Sequence, residues 1–363
     1  MQAEELIAAH LADARGTWDA EADDVLVCRQ VRPETRDVKT FVLEARRAQL
    51  FRYRPGQFLT FDFEVDGQSI NRCYTISSTP TRPHLISITT KRVPGGPVSN
   101  WLHDKLKPGI EVRATGPMGE FSSLAHPADK YLFLSGGSGI TPLMSMARAY
   151  HDLALPRDIV FVHFARTPAD IIFRAELELM ARNLPSFRFV PVCETDAPTE
   201  RWTGFSGRVL LPMLRLIAPD FLDREIMVCG PAPFMAAVRG MLGEASFDMA
   251  RHHEESFDFA THDSGGTEEE RAAPVTQTFK VEFKKSGRTV ECGADTFVLS
   301  AAKSAGMRLP SSCTKGLCGT CKSRLVSGKV EMKHQGGIRQ REIDQGMVLI
   351  CCSKPLTDLV VDR

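Results

Sequence analysis

From residue 25 the chain alternates apolar and polar positions in short runs, VLVCRQV, KTFVLEA, QFLTFDF, NRCYTISS and HLISITTKRV, separated by turns rich in proline and glycine. Period-two alternation over so few residues predicts strands, and strands this dense predict an antiparallel barrel or sandwich. The texture changes near Lys130. YLFLSGGSGITPLMSMARAYHDL reads as a fully apolar strand, a glycine turn and a helix, and DIVFVHFAR, the helical IIFRAELELMARNL, FRFVPVC and REIMVCGPAPFMAAVRGML continue the alternation. Buried strands interleaved with helices predict a parallel α/β sheet. The stretch DFATHDSGGTEEERAAPVTQ is polar, acidic and glycine-bearing, and reads as a linker. A flexible segment of that length spans roughly 20–25 Å. Beyond it, TFKVEFKKSGRTVEC predicts a hairpin turning at Ser286 and Gly287, ADTFVLSAAKSAG a short helix, and the remainder short strands around a cysteine loop.

At 363 residues the chain exceeds what one hydrophobic core supports, so several domains are expected. The pattern divides into an N-terminal extension (1–23), a barrel domain (24–126), an α/β domain (127–257), the linker (258–277) and a small α+β domain (278–363). The extension mixes acids with Leu, Ile and Ala at helical spacing and is expected to be a surface helix or a frayed arm.

Lys plus Arg equals Asp plus Glu, 45 of each, so no broad field invites nucleic acid or an anionic membrane. No apolar run approaches the roughly 18 residues that span a bilayer. The start, MQAEELIAAHLADARG, carries acids where a signal peptide needs a basic region. A cytoplasmic protein is expected, in which the ten cysteines are not expected to form disulfides.

Four of the five cysteines beyond residue 300 have the spacing of a metal site. Cys313, Cys318 and Cys321 form C-x4-C-x2-C, and Cys351 follows after 29 intervening residues. Thiolates grip ferric iron while a glycine-rich loop turns backbone N–H groups toward the sulfides. Gly316 and Gly319 suit such a tight wrap. Four cysteines also bind zinc, but zinc ribbons usually show two C-x-x-C knuckles, whereas three thiols crowd one loop here. Cys352 stands beside Cys351 as an alternative fourth ligand. The ending GMVLICCSKPLTDLVVD resembles that of plant-type ferredoxins, in which the first of the two positions is the ligand. Residues 278–363 thus resemble a plant-type 2Fe-2S ferredoxin domain, which implies a β-grasp fold.

RCYTISS (72–78) ends a strand of the barrel region and resembles the R-x-Y-[ST] flavin signature of the ferredoxin-NADP reductase superfamily. A flavin needs a cation for phosphate, an aromatic ring against its isoalloxazine and a hydroxyl near the reactive nitrogen. The resemblance implies those roles for Arg72, Tyr74 and Thr75, with Ser78 closing the segment. KRVPGGPVSNWLHDKL (91–106) adds a glycine turn opening a helix, a natural phosphate site, where Gly96 allows close approach and Ser99 is a candidate diphosphate contact or an ordinary cap. A diphosphate site favours FAD, with FMN as the alternative.

SGGSGITPL (135–143) follows a buried strand and opens a helix, so Gly136, Gly137 and Gly139 admit a pyrophosphate to the helix N-terminus. VCGPAPFM (228–235) resembles the superfamily's C-G-P segment beside the nicotinamide. The resemblance implies nicotinamide contacts at Thr141, Pro142, Cys229 and Gly230, and a closing Glu255 and Phe257 within HHEESF (252–257). Arg166 and Arg174 lie just beyond the second α/β strand, where a 2′-phosphate needs cations, yet Arg174 also suits a helix surface. NADH is the expected donor, with NADPH the alternative.

All three modules in this order resemble reductases with an N-terminal flavin domain, a nucleotide domain and a C-terminal ferredoxin. That layout implies NAD(P)H oxidation, with electrons passing through FAD and the 2Fe-2S cluster to a partner protein. The chain offers no Rieske Cys/His pairs and no haem-attachment motif of its own. Relatives of this layout serve Rieske-type terminal oxygenases, including those that demethylate quaternary ammonium compounds such as glycine betaine. Others serve a hybrid-cluster protein or multicomponent hydroxylases, and a redox sensor without turnover is the non-enzymatic alternative.

Overall fold

The computed structural model describes residues 16–257 and 277–363, except 21, 48, 66, 308, 310–313, 315, 317, 318, 320, 335 and 336. All but the last residue of the expected linker, residues 1–15, Cys313 and Cys318 lie outside the described residues. The expected extension is not all surface. Thr17 bridges to Leu50, and Trp18 is 5% exposed with its ring 5.3 Å from that of Phe51. The apolar area of one indole ring outweighs the polarity of its neighbours and draws this stretch onto the fold.

The first sheet is built from β1 (Val25–Thr35), β2 (Val38–Ala45), β3 (Phe58–Val65), β4 (Gln68–Thr75), β5 (Ile86–Lys91) and, after helix α1 (Pro97–Lys105), β6 (Glu111–Met118). Its order is β4-β3-β6-β1-β2-β5, with antiparallel registers between β1 and β2, β1 and β6, and β2 and β5. Ile76, one residue past β4, bridges Ile88 of β5 and so joins the two ends of the sheet into a barrel. Inward positions Leu26, Phe41, Leu43, Phe61, Phe63, Ile86 and Ile88 are buried, as the alternation requires.

The second sheet is parallel throughout and runs β10-β9-β8-β7-β11-β12. In chain order its elements are β7 (Lys130–Gly136), α2 (Ile140–Asp152), β8 (Asp158–Ala165), α3 (Arg174–Asn183), β9 (Phe187–Cys193), β10 (Phe205–Ser206), α4 (Leu211–Ile217), β11 (Glu225–Gly230), α5 (Ala232–Glu244) and β12 (His252–Ser256). Both faces of the sheet are apolar, which explains the uninterrupted hydrophobic runs. Tyr131, Phe133, Phe161 and Met227 pack with residues of α2 and α3. Leu132, Leu134, Val160, Val162 and Val228 pack with α4 and α5 on the other face.

The third sheet, β14-β13-β19-β15-β17, pairs β13 with β19 in parallel at its centre and is otherwise antiparallel in its described registers. Its strands and helices are β13 (Thr278–Phe283), β14 (Arg288–Gly293), α6 (Val298–Ser304), β15 (Lys322–Ser327), β16 (Val330–Met332), α7 (Gln340–Asp344), β17 (Met347–Leu349), β18 (Ser353–Pro355) and β19 (Leu359–Asp362), with β16 and β18 forming a separate pair. Gly287 takes φ +63° in the expected hairpin turn. Val298, Leu299 and Ala302 of α6 bury against Val281, Phe283, Leu349 and Val361, the helix-on-sheet core of a β-grasp.

The described residues divide into two compact units, one within Met1–Leu59 and Tyr74–Phe257, the other within Thr60–Cys73 and Asp258–Arg363. Inside the first unit a buried polar clamp joins the end of β4 to α2. Ser145 Oγ donates to the Ser78 carbonyl at 2.6 Å, and Arg148 Nη1 donates to the Ser77 carbonyl. The same guanidinium grips both Glu176 oxygens, at 2.8 and 2.6 Å, and lies 4.6 Å above the Phe173 ring. Burial alone would raise the Glu176 pKa, but Arg148 outweighs it and holds the carboxyl below its ordinary range. A second tether comes from Thr81 and Arg82, both donating to Asp152 at the end of α2. Arg148→Met keeps the aliphatic stem but strands a carbonyl and a carboxylate. It should lower unfolding free energy by about 3 kcal/mol in a urea titration followed by tryptophan fluorescence, and a loss below about 1 kcal/mol would contradict the clamp.

Candidate active site

The β4 strand delivers its residues in alternation, with Arg72 and Tyr74 on one face and Cys73 and Thr75 on the other. Thr75 is 5% exposed, and its hydroxyl has no partner among the described residues. A buried hydroxyl left unpaired costs free energy unless a bound group satisfies it, so this atom fits a polar ligand at the strand's end. Arg72 donates one N–H to the Asn71 carbonyl at 2.8 Å, which leaves other donors of its fork for an anion. Ser78 is occupied internally. Its hydroxyl meets Tyr53 OH at 3.0 Å and accepts from the Ser87 N–H at 2.9 Å.

The loop before α1 shows why serine and glycine stand there. Ser99 Oγ accepts from the Val93 N–H at 3.1 Å and donates to the Gly96 carbonyl at 3.3 Å, while Asn100 Nδ2 donates to the same carbonyl at 2.8 Å. A Cβ on Gly96 would fall 2.7 Å from Ser99 Oγ. The hydroxyl expected at a diphosphate is therefore engaged in shaping the turn. Proline at the start of α1 and the lack of a side-chain cap leave the N-terminal backbone donors of that helix for an anion.

At the carboxyl end of the parallel sheet, β7 runs into a tight turn and then α2. Gly137 adopts φ +52° with open space around its Cα, which suits a ligand. Gly139 is needed for a different reason: a Cβ there would lie 2.3 Å from the Cys229 carbonyl oxygen, so the turn can press against β11 only without a side chain. Gly230 is held likewise by Phe234, 2.5 Å from its virtual Cβ. Thr141 donates to the Ser138 carbonyl at 3.2 Å and, with Pro142, is buried in the first turn of α2.

Parallel register lines up one polar row across this edge. Glu255 pairs with Cys229, Cys229 with Ser135 and Ser135 with His163. Burial, followed by the charges of Glu255 and Glu254, pushes the Cys229 thiol well above its ordinary pKa, so it is no nucleophile at neutral pH. Glu255 keeps some exposed surface, but its carboxyl Oε2 is out of solvent with no partner among the described residues, and burial lifts its pKa to about 8. Ser135 Oγ lies 2.8 Å from His163 Nδ1, and burial drops that imidazole to about 3, so it stays neutral. Phe257 packs at the margin of the same apolar core. Ser145, Arg148 and His163 have no role in the sequence expectations, and Ser135 enters them only as the first residue of the glycine motif. Of the first three, only His163 leaves a trace, as a lone histidine in an otherwise apolar strand.

In the other unit, Gly316 and Gly319 adopt φ +73° and +72°, a left-handed backbone that favours glycine. Cys321 and Cys351 are buried and within hydrogen-bonding reach of each other. That hydrogen bond lowers the Cys351 pKa, but Cys352 and burial dominate and carry it to about 12. A thiol so reluctant to ionise becomes a thiolate when metal replaces its proton, and two buried sulfurs converging on a glycine loop fit a cluster. The Cys352 sulfur presses against Gly316, 2.7 Å from where its Cβ would stand, and donates to the Leu349 carbonyl at 3.6 Å.

Family profiles for an oxidoreductase FAD-binding domain, an oxidoreductase NAD-binding domain and a 2Fe-2S iron-sulfur cluster binding domain match residues 28–123, 133–240 and 281–356. The chain is 46% identical over 354 residues to the glycine betaine monooxygenase reductase subunit of Pseudomonas aeruginosa, covering 95% of this chain and 96% of that one. It is 42% identical over 340 residues to the stachydrine N-demethylase reductase subunit of Rhizobium meliloti, covering 93% and 96%. Among solved structures, phthalate dioxygenase reductase aligns with a TM-score of 0.56 at 25% identity, over 95% of this chain and 100% of that one. With three cofactor domains in this order and full-length identity at this level, the chain belongs to the family of FAD- and 2Fe-2S-containing reductase components that carry electrons from NAD(P)H to oxygenases.

Proposed function

We propose that the oxygenase served by this chain demethylates a small quaternary ammonium compound of the betaine type, and that the electron donor is NADH. The carrying observation is the 42–46% identity over nearly the whole chain to reductase subunits named for glycine betaine and stachydrine. When bound, the flavin supplies a carrier that takes electrons in pairs and releases them singly, which matches a hydride donor to a one-electron cluster. The chain's own residues position these partners. Gly96 admits the diphosphate to the backbone N–H groups of the first turn of α1, Arg72 offers its free donors to a phosphate, Tyr74 lies against the flavin ring, and the buried Thr75 hydroxyl meets its polar edge. Gly136, Gly137, Thr141, Pro142, Cys229 and Gly230 seat the nicotinamide nucleotide, with Glu255 and Phe257 at its margin. Cys321 and Cys351, joined by Cys313 and Cys318, hold the iron, and Cys352 remains a buttress. A cytoplasmic location accords with cysteines that are all free among the described residues.

The preference for NADH rests on how the nearby cations are spent. Arg166 contacts Asp37 and Asp170, each at 3.3 Å. Arg174 is held by Glu178 at 2.9 Å and Glu200 at 2.8 Å, with its guanidinium 5.8 Å from the Trp202 ring centre. Cations already neutralised by carboxylates offer little to a 2′-phosphate. The kcat/KM for NADH should exceed that for NADPH by about tenfold or more, a transition-state difference of about 1.4 kcal/mol, and equal values would remove this assignment.

Mixed with an oxygenase that demethylates a betaine, the purified chain should support NADH-dependent release of formaldehyde from the substrate. Coupling only to oxygenases of aromatic rings would refute the proposed partner. Cys351→Ser should abolish reduction of one-electron acceptors such as cytochrome c and leave NADH-driven flavin reduction largely intact, whereas Cys352→Ser should spare both. The reverse pattern would exchange the two cysteines' roles.

Glu255 also gives a pH signature. Its folded-state pKa of about 8 lies above the ordinary carboxylate value of 4.5, so the folded chain holds an extra proton between them. The associated stability is fully present below the unfolded value and is lost as pH rises toward about 8. Glu255→Gln should therefore show a smaller fall in melting temperature between about pH 5 and pH 8 than the parent chain. Parallel curves for the two proteins would show that the carboxyl ionises freely.

A further inference from the structure

A cluster of ligating side chains lies away from the nucleotide edge, at the opposite end of the parallel sheet. His126 belongs to the connection between β6 and β7, Glu225 opens β11, and His253 is the second residue of β12. One ligand atom from each of the three lies within 4.8 Å of the others. The imidazoles of His126 and His253 stack with centroids 3.4 Å apart and planes at 14°, and His253 Nε2 sits 2.5 Å from Glu225 Oε1.

We propose that His126, Glu225 and His253 form a binding site for a divalent transition-metal ion, zinc in the first instance, whose fourth position is open to water. Two imidazoles and one carboxylate are a donor set that zinc takes, with bonds of about 2.0–2.1 Å that bring neighbouring ligand atoms to roughly 3.4 Å apart. The present separations need the ligand atoms to close by up to about 1.4 Å, with the stacked rings splaying to turn their lone pairs inward. Such movement is available because all three residues are only partly buried and His126 lies outside any helix or strand. The backbone beneath is fixed: the Tyr131 hydroxyl donates to the His126 carbonyl at 3.0 Å, and β11 pairs with β12 in unbroken register. Arg251 is the opposing charge. Its Nε reaches Glu225 Oε2 at 3.4 Å, while Nη1 is committed to the Leu222 carbonyl at 2.9 Å. It therefore holds the outer carboxylate oxygen and leaves Oε1 facing the imidazoles, an orienting contact of the kind that supports metal ligands.

A bound ion would tie the connector before β7 to β12, two residues upstream of Glu255. The test uses the full chain loaded with flavin and cluster, so that the cluster cysteines are occupied, in equilibrium dialysis against zinc chloride. One zinc per chain should bind to the parent protein and raise its melting temperature. His126→Asn and His253→Asn should each weaken binding by roughly 100-fold and erase the thermal shift while keeping flavin and cluster absorbance. Should either variant fail to retain its cofactors, Glu225→Gln provides the same comparison. Zinc uptake unchanged by these substitutions, or no uptake by the parent chain, would overturn the site.

Discussion

The catalytic geometry depends on one close approach of backbone to backbone. The turn after β7 presses onto the end of β11 so tightly that Gly139 has no room for a methyl group against the Cys229 carbonyl. That contact fixes where α2 begins, and α2 in turn carries Ser145 and Arg148 to the carbonyls of Ser77 and Ser78. A single steric condition within the nucleotide sheet thus reaches the strand before Ser77, because the intervening helix is buried along nearly its whole length and closely packed.

Electrostatics then divides the polar groups into two kinds. Arg148, Glu176, Arg82 and Asp152 satisfy one another and set positions. Thr75 and the Oε2 atom of Glu255 are buried without partners among the described residues. The first kind stabilises the fold, whereas the second carries a desolvation cost that a bound group relieves. The placement of unpaired atoms at the ends of β4 and β12, beside a neutral thiol, is the pattern expected where a cofactor supplies the reactivity and the protein supplies position.

Much of this architecture was legible in the residue pattern, for identifiable reasons. Strand alternation in VLVCRQV and KTFVLEA and apolar runs in YLFLS and DIVFVHFA are local signals, and each maps onto an observed strand. The glycines differ in what surrounds them: Gly137 has open space about its Cα, while Gly139 and Gly230 answer to protein neighbours. Ser99, a candidate for a diphosphate contact or for an ordinary cap, braces its own turn. Arg148 and Ser145 escaped notice because their partners lie 71 and 67 positions away, and nothing in a helix such as MSMARAY marks which cation will be buried.

The bridge from Ile76 to Ile88 closes the barrel immediately beyond Thr75, whose buried hydroxyl has no partner among the described residues. The seam of the barrel and the proposed seat of the flavin are therefore adjacent lengths of the same strand. Any ligand that binds the closed form and not the opened one stabilises that seam by mass action. Loss of the cofactor should consequently appear first as faster amide exchange along residues 74–78 and 86–88, with the parallel sheet still protected, so that holding the flavin and holding the barrel shut become one equilibrium.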